Sequence, residues 1–256
     1  MDVTTDMYPY LVGSTALLAL IPEWAQEGGK VAILKRLADS SLHPDMISSM
    51  ESQSYSRNVE WDKVLISGSP RQRDYEGRFI ADLAAEEAKS PHRWVFDALL
   101  ETELNLWIII FSISEENLKL QLRHPAMMIG TDGRGLTTEG PMSGGTPHPR
   151  SYGTFPRVLG HYVREEKIIS MEEAIWKMSE FPMKKLGVKD RGMIKKDSRA
   201  DLVVFDPDTI IDRATYEAPH QYSSGILLVI VNGKLVIHDG VHTGARPGVV
   251  LRRGRK

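Results

Sequence analysis

The 256 residues are 41% apolar and 26% charged, with a net charge of −2 and a pI of about 6.5. This is ordinary globular composition with room for a sizeable core, and it implies no general attraction to nucleic acid or anionic lipid. The absence of cysteine excludes disulfides, thiol catalysis and thiolate metal sites.

No run approaches the roughly 20 apolar residues of a membrane span, and the acidic start at Asp2 and Asp6 is unlike a signal peptide. Neither a nucleic-acid nor a membrane partner is expected, and the expected address is cytoplasmic. The basic tail, Arg252 to Lys256, reads as a solvated terminus.

Residues 2–10, DVTTDMYPY, alternate β-branched and polar residues and stop at Pro9, as a strand entering a loop does. Ser14 and Thr15 are placed to cap a helix through ALLALIPEWAQ, interrupted at Pro22. A second helix is expected from Lys30 to Ala38. Residues 42–92 hold a short strand candidate at Val64–Ile66 and an amphipathic helix from Phe79 to Lys89, and are expected to form an inserted, lid-like subdomain.

From residue 94 the pattern sharpens. A helix is expected over Phe96–Leu104, then a fully buried strand over Leu106–Phe111. Ser112-x-x-Glu115 offers a capping box for a helix to Arg123. Met127–Asp132 reads as a strand ending in Gly130-Thr131-Asp132-Gly133, so that strand, helix and strand suggest a βαβ crossover. Such a strand would deliver an acid at its carboxyl end, where barrel enzymes keep their chemistry; an aspartate that merely starts a turn suits the same residues.

The run after Asp132, up to Arg157, is rich in glycine and proline and reads as a long functional loop. Val158–Glu165 is expected to be helical. Ser170-x-x-Glu173 caps a further helix that ends near Pro182. A strand over Ala200–Asp206 and a hairpin around Asn232-Gly233 then indicate a small β domain.

Several stretches together resemble the N-acyl-D-amino-acid deacylases (D-aminoacylases) of the amidohydrolase superfamily. They are DVTTDMYPY with Ser14-Thr15, FSISEENLKLQLRHPAMMIGTDG, TPHPRSYGTFPRVLGHYVRE, KDRGMIKKDSRADLVVFDPD and VNGKLVIHDGVHTGARPG. HPRSYGTFPRVLG is the most specific of these. The resemblance implies an α/β fold, a partial metal-dependent-hydrolase (β/α)8 barrel over residues 1–196 with the insertion at about 42–92, and a small β-sandwich-type domain over 197–256. Residues 2–10 would be the seventh barrel strand and Met127–Asp132 the eighth, so only the carboxyl-terminal half of the family fold is expected.

The resemblance further implies hydrolysis of the linear amide bond of an N-acyl-D-amino acid, with zinc in the complete enzyme. Asp132 would be the catalytic general base and then general acid, and Tyr8 and Ser14 would line the substrate pocket. Arg150 could grip the substrate carboxylate, oriented by His148.

Each has a plainer structural reading: Tyr8 as a half-buried aromatic, Ser14 as a helix cap, Arg150 as a solvated loop residue. Asp201 and Asp206 read as structural. The family's glycine before Arg-Ala-Asp is replaced here by Asp197-Ser198, a mild change because aspartate tolerates left-handed turns.

Zinc needs at least three donors, and there is neither His-x-His nor cysteine in the sequence. His238 and His242 flank a turn, and His124 and His220 read as hydrogen-bonded loop residues. No complete metal site is expected from this chain, although Asp132 could contribute to one, and zinc is not expected to bind the chain alone. The leading expectation is a carboxyl-terminal half that is inactive without a metal-bearing amino-terminal half, either lost by truncation or encoded separately. A non-catalytic remnant or interaction subunit is the alternative, and an independent α/β protein the third.

Overall fold

The structure is a computed structural model that describes residues 1–52 and 59–252. Most of the basic tail, from 253 onward, lies outside the described residues. The fold is mixed α/β and contains three sheets among these residues. In the first, β1 (Thr5–Met7) pairs in parallel with β5 (Met127–Ile129), Thr5 opposite Met127. In the second, β4 (Trp107–Phe111) lies between β2 (Val12–Ala16) and β3 (Val64–Gly68), antiparallel to both. The third is the antiparallel series β6 (Leu202–Phe205), β7 (Ile226–Val231), β8 (Lys234–His238) and β9 (Val241–His242).

The second sheet corrects two expectations. Ser14 and Thr15 do not cap a helix: they sit inside β2, opposite Ile109 and Ile108. Pairing with β4 outweighs the local helix preference of the following apolar run, which reduces to a 3-10 turn at Leu17–Leu20 and the single turn α1 (Glu23–Gln26) after Pro22. Nor do β4 and β5 form a crossover, because they belong to different sheets. The connecting helix α6 (Glu115–Arg123) is capped by Ser114 rather than Ser112, its hydroxyl accepting the Asn117 N–H. β4 is not fully buried either: Ile108 and Ile109 are, while Trp107 is 37% exposed.

Two cores result. The first gathers Leu17, Leu37, Met46, Ile66, Ile80, Trp94, Phe96 and Ile108. It joins β3, α3 (His43–Ser52) and α4 (Ile80–Glu86), from the stretch 42–92, to α2 (Gly29–Ala38) and α5 (Pro91–Glu101) on either side. α5 starts five residues earlier than expected because Ser90 caps it and Pro91 occupies a first-turn position that needs no N–H.

The second core packs Leu118, Ile129, Val158, Tyr162, Ala174 and Ile210. Its central helix comes out of the expected loop. α7 (Arg150–Arg157) runs directly into a π-helix over Val158–Glu165, with Pro156 inside α7. Proline has no N–H to give the carbonyl four residues back; that carbonyl, of Tyr152, accepts the Ser223 hydroxyl at 3.2 Å instead. α8 (Met171–Met178) is capped by Ser170 as expected. Pro182 does not end it: the break is at Ser179, and Pro182 lies in the first turn of α9 (Glu180–Leu186).

Lys177 on α8 is fully buried beneath β5. Its ammonium donates to the carbonyls of His124 at 2.6 Å and Met127 at 3.3 Å and pairs with Glu173 at 3.4 Å. Lys177→Met keeps the volume and strands those carbonyls, so a loss of about 2 kcal/mol is expected in urea unfolding.

At the carboxyl end, Asn232 (φ +48°) and Gly233 (φ +75°) make the expected hairpin turn. Asp201 secures it by accepting the Asn232 N–H at 2.8 Å, and Asp197 adopts the left-handed conformation at φ +67°. Residues 197–256 contribute one four-stranded sheet among the described residues, so no second layer of a sandwich is formed by them. No helix of the described residues is long and apolar enough to cross a membrane.

Candidate active site

The chain leaves β5 through Gly130, and a side chain there would meet the Asp6 carboxylate at 2.9 Å. Asp132 follows in the left-handed region at φ +43°, which aspartate tolerates better than most residues. At Gly133 the backbone runs close against the start of α7, where a Cβ would lie 3.0 Å from Ser151 Cα. These two close approaches carry the Asp132 carboxylate to the surface beside Arg150.

Arg150 is buried rather than solvated. Its Nη2 is 2.7 Å from Asp132 Oδ2, its Nε donates to the Asp132 carbonyl at 2.9 Å, and its guanidinium lies 4.5 Å above the Tyr8 ring centre. Its Nη1 is buried with no hydrogen-bond partner among the described residues. Asp132 itself is open, its side chain 70% exposed.

His148 is buried behind this pair. Nε2–H donates to the Val12 carbonyl at 2.9 Å and Nδ1 accepts the Arg150 N–H at 3.0 Å, which describes a neutral ring. Tyr8, Tyr10 and Tyr216 surround it edge-on, with centroids 5.3–5.5 Å away. Burial above all lowers its pKa from 6.5 to about 4, with the charge of Arg150 acting in the same direction against the bond to Val12.

Because the folded pKa lies below the unfolded one, the unfolded chain binds the extra proton. Stability should therefore be level above about pH 6.5 and fall by on the order of 3 kcal/mol as pH drops to about 4. Urea unfolding at pH 7 and pH 4.5 checks this, and His148→Gln should remove that part of the slope.

The expected site residues thus come together. Ser14, Asp132, His148 and Arg150 line one cleft of about 330 Å³. Tyr8 lies under Arg150 and, with Ser14, borders a second cleft.

Sequence reasoning did not find the support behind them. Asp212, its side chain 6% exposed, accepts the Tyr10 hydroxyl at 3.1 Å and pairs with Arg157 at 3.3 Å. Arg157 Nε also holds the Pro9 carbonyl at 2.8 Å. The Tyr8-Pro9-Tyr10 corner is therefore tied to both α7 and the segment after β6. Burial, then the neighbouring Asp212 carboxylate, holds the Tyr10 phenol far above its ordinary range. His220 closes the loop side, its Nε2 on the Gly145 carbonyl and Nδ1 on the Tyr152 hydroxyl, each at 2.9 Å. That His220 is a hydrogen-bonded loop residue was expected from the sequence; its two partners were not.

A zinc-type centre beside Asp132 does not fit the residues present. Among the described residues the group with suitable donors is Glu115, His161 and Glu166, whose ligand atoms lie within 4.8 Å of one another. It does not include Asp132, and the Lys119 ammonium already bridges its carboxylates at 3.2 and 2.9 Å.

Residues 32–237 match the model of the amidohydrolase family. The chain is 33% identical to an N-acyl-D-glutamate deacylase of Alcaligenes xylosoxydans xylosoxydans over 99% of its own length and 42% of that protein's. An N-acyl-D-aspartate deacylase of the same organism is 41% identical over 75% of this chain and 36% of that protein. Among solved structures, D-aminoacylase superposes with a TM-score of 0.69 at 33% identity, over 95% of this chain and 41% of that one. The zinc- and phosphonate-bound N-acyl-D-glutamate deacylase of Bordetella bronchiseptica gives 0.66 at 31% identity, over 91% and 39%. The chain thus spans about two fifths of the length of the relatives it matches, 42% for the first of them. Within that span, the match over residues 32–237 makes this chain a member of the amidohydrolase family.

Proposed function

We propose that the chain is the carboxyl-terminal, substrate-facing part of a deacylase that splits N-acyl-D-amino acids into a D-amino acid and a carboxylate. The observation that carries this proposal is the convergence of Asp132, Arg150, His148 and Ser14 on one cleft. In the proposed reaction a water oxygen bonds to the acyl carbon while Asp132 takes the water's proton. The C–N bond then breaks as Asp132 passes that proton to the departing amine. Oδ2 is held by Arg150, which leaves Oδ1 for the transfer. Arg150 Nη1, buried and unpartnered, is the donor proposed for the substrate carboxylate. The neutral His148 orients Arg150 through its backbone N–H, and Tyr8 supports it from below.

The described residues hold no set of three zinc donors beside Asp132. Metal binding is proposed to reside in the part of the relatives that this chain does not span. Within residues 1–196 the parallel pair β1 and β5 would then be barrel strands, with 42–92 a lid-like insertion and 197–256 a small β domain.

Amine release from N-acetyl-D-amino acids tests the proposal. The chain should be inactive with zinc alone and should gain activity when mixed with the amino-terminal portion of D-aminoacylase. A folded mixture that releases no amine overturns it. It would favour instead a non-catalytic interaction subunit, for which the Arg150 clamp on Asp132 is the supporting contact.

A further inference from the structure

The cleft beside Asp132 has more positive charge than the proposed reaction uses. Arg73, Arg134 and Arg150 line it, against Asp132 and Glu76. Asp132 is matched by Arg150 at 2.7 Å, while Glu76, which accepts the neutral Ser69 N–H at 2.8 Å, keeps its charge, so three guanidiniums face two carboxylates. No ion pair or side-chain hydrogen bond joins Arg73 or Arg134 to a carboxylate among the described residues.

Arg134 is not a freely solvated side chain. Its backbone N–H donates to the Ser151 hydroxyl at 3.2 Å, which anchors it to the start of α7. Its guanidinium carbon lies 4.3 Å from the ring centre of Trp107. Stacking on an indole covers one face of the guanidinium and restricts its rotation, while the in-plane N–H fork stays open for a bidentate acceptor. Trp107 is itself unusual, an indole more than one-third exposed in the middle strand of a sheet, and it borders the same cleft. The arginine lies over the indole ring and leaves more than a third of the residue open to the cleft side and solvent.

We propose that Arg134, stacked on Trp107 and assisted by Arg73, forms a second anion subsite that selects N-acyl amino acids whose side chain carries a carboxylate. The subsite names a substrate class for the cleft described above, and so rests on substrate binding there through Arg150. Arg150 receives the carboxylate common to all N-acyl amino acids, and Arg134 receives the second one. A carboxylate held by a pre-positioned guanidinium forms charge-assisted bonds that a neutral amide of equal size cannot match.

Calorimetric titration of the chain with N-acetyl-D-glutamate and with N-acetyl-D-glutamine separates the two roles, since these ligands differ by one charge at equal shape. The glutamate ligand should bind at least about 10-fold more tightly at low salt. Arg134→Gln should erase that preference while leaving the glutamine ligand's Kd unchanged, and Trp107→Leu should reduce it. Arg150→Gln should weaken both ligands alike. Equal affinity for the two ligands with binding still dependent on Arg150 overturns the subsite and leaves the cleft assignment standing. A preference that survives Arg134→Gln overturns Arg134 as its source. Failure of both ligands to bind overturns the subsite and the cleft assignment together.

Discussion

Asp132→Asn should lower amide hydrolysis by about 10²–10⁴-fold, the range expected when a positioned general base is lost, with little change in KM. The substitution keeps an oxygen that can accept from Arg150 Nη2, and the second Arg150 contact goes to the Asp132 backbone. The clamp and the left-handed turn therefore survive, and only the proton-transfer capacity goes. The measurement is kcat and KM for amine release in the mixture with an amino-terminal portion, alongside a thermal melt of the variant. An unchanged melt with a collapsed kcat identifies the carboxylate as chemical. An unchanged kcat removes Asp132 from the reaction.

The largest effect on stability is expected at Gly225. It sits at φ +84°, and a Cβ there would lie 2.4 Å from Ile210 Cα and 2.5 Å from Ile210 N, so backbone rather than a flexible side chain is in the way. The opposing segment cannot yield. Ile210 N–H is bonded to the Asp206 carbonyl at 2.9 Å and Asp206 N–H to the Gly225 carbonyl at 2.8 Å. On its other side the same segment is packed against Gly160, where a Cβ would be 2.4 Å from the Ile210 carbonyl, and Gly153, 2.4 Å from Asp212 Cβ.

Left-handed strain and overpacking together put Gly225→Ala at about 4 kcal/mol in urea unfolding. Gly233→Ala is the matched control: its φ is +75° but nothing lies within 4 Å, so only the strain, about 1–2 kcal/mol, should remain. Because displacement of Ile210 also moves Asp212 away from Tyr10 and Arg157, Gly225→Ala should weaken ligand binding in the cleft as well.

Local signals were readable where a residue acts on its own neighbours. The Ser170 cap, the Asn232-Gly233 turn and the apolar run into Gly130 each need only a few adjacent residues, and all appear as expected. Signals failed where a distant strand outbid a local preference. Ser14 has the chemistry of a helix cap, yet β4 draws it into a sheet across 95 positions of sequence. Arg150 looked like a solvated loop residue because nothing nearby in sequence shows that α7 begins there, or that Tyr8 lies beneath it. Asp212 carried no local mark, since its partners Tyr10 and Arg157 are remote in the chain.

By itself, then, the sequence determined the chemistry available: an aspartate after an apolar strand, a basic and histidine-bearing segment behind it, and no cysteine or His-x-His for metal. It could do so because residue types and short spacings carry that information directly. Only the tertiary structure decided the geometry: that Arg150 grips Asp132, that His148 is buried neutral among tyrosines, and that Arg134 rests on Trp107 beside them. Those contacts depend on which strands pair and how closely backbones approach at Gly133 and Gly225, and long-range packing, unlike a cap or a turn, leaves no adjacent residues to read.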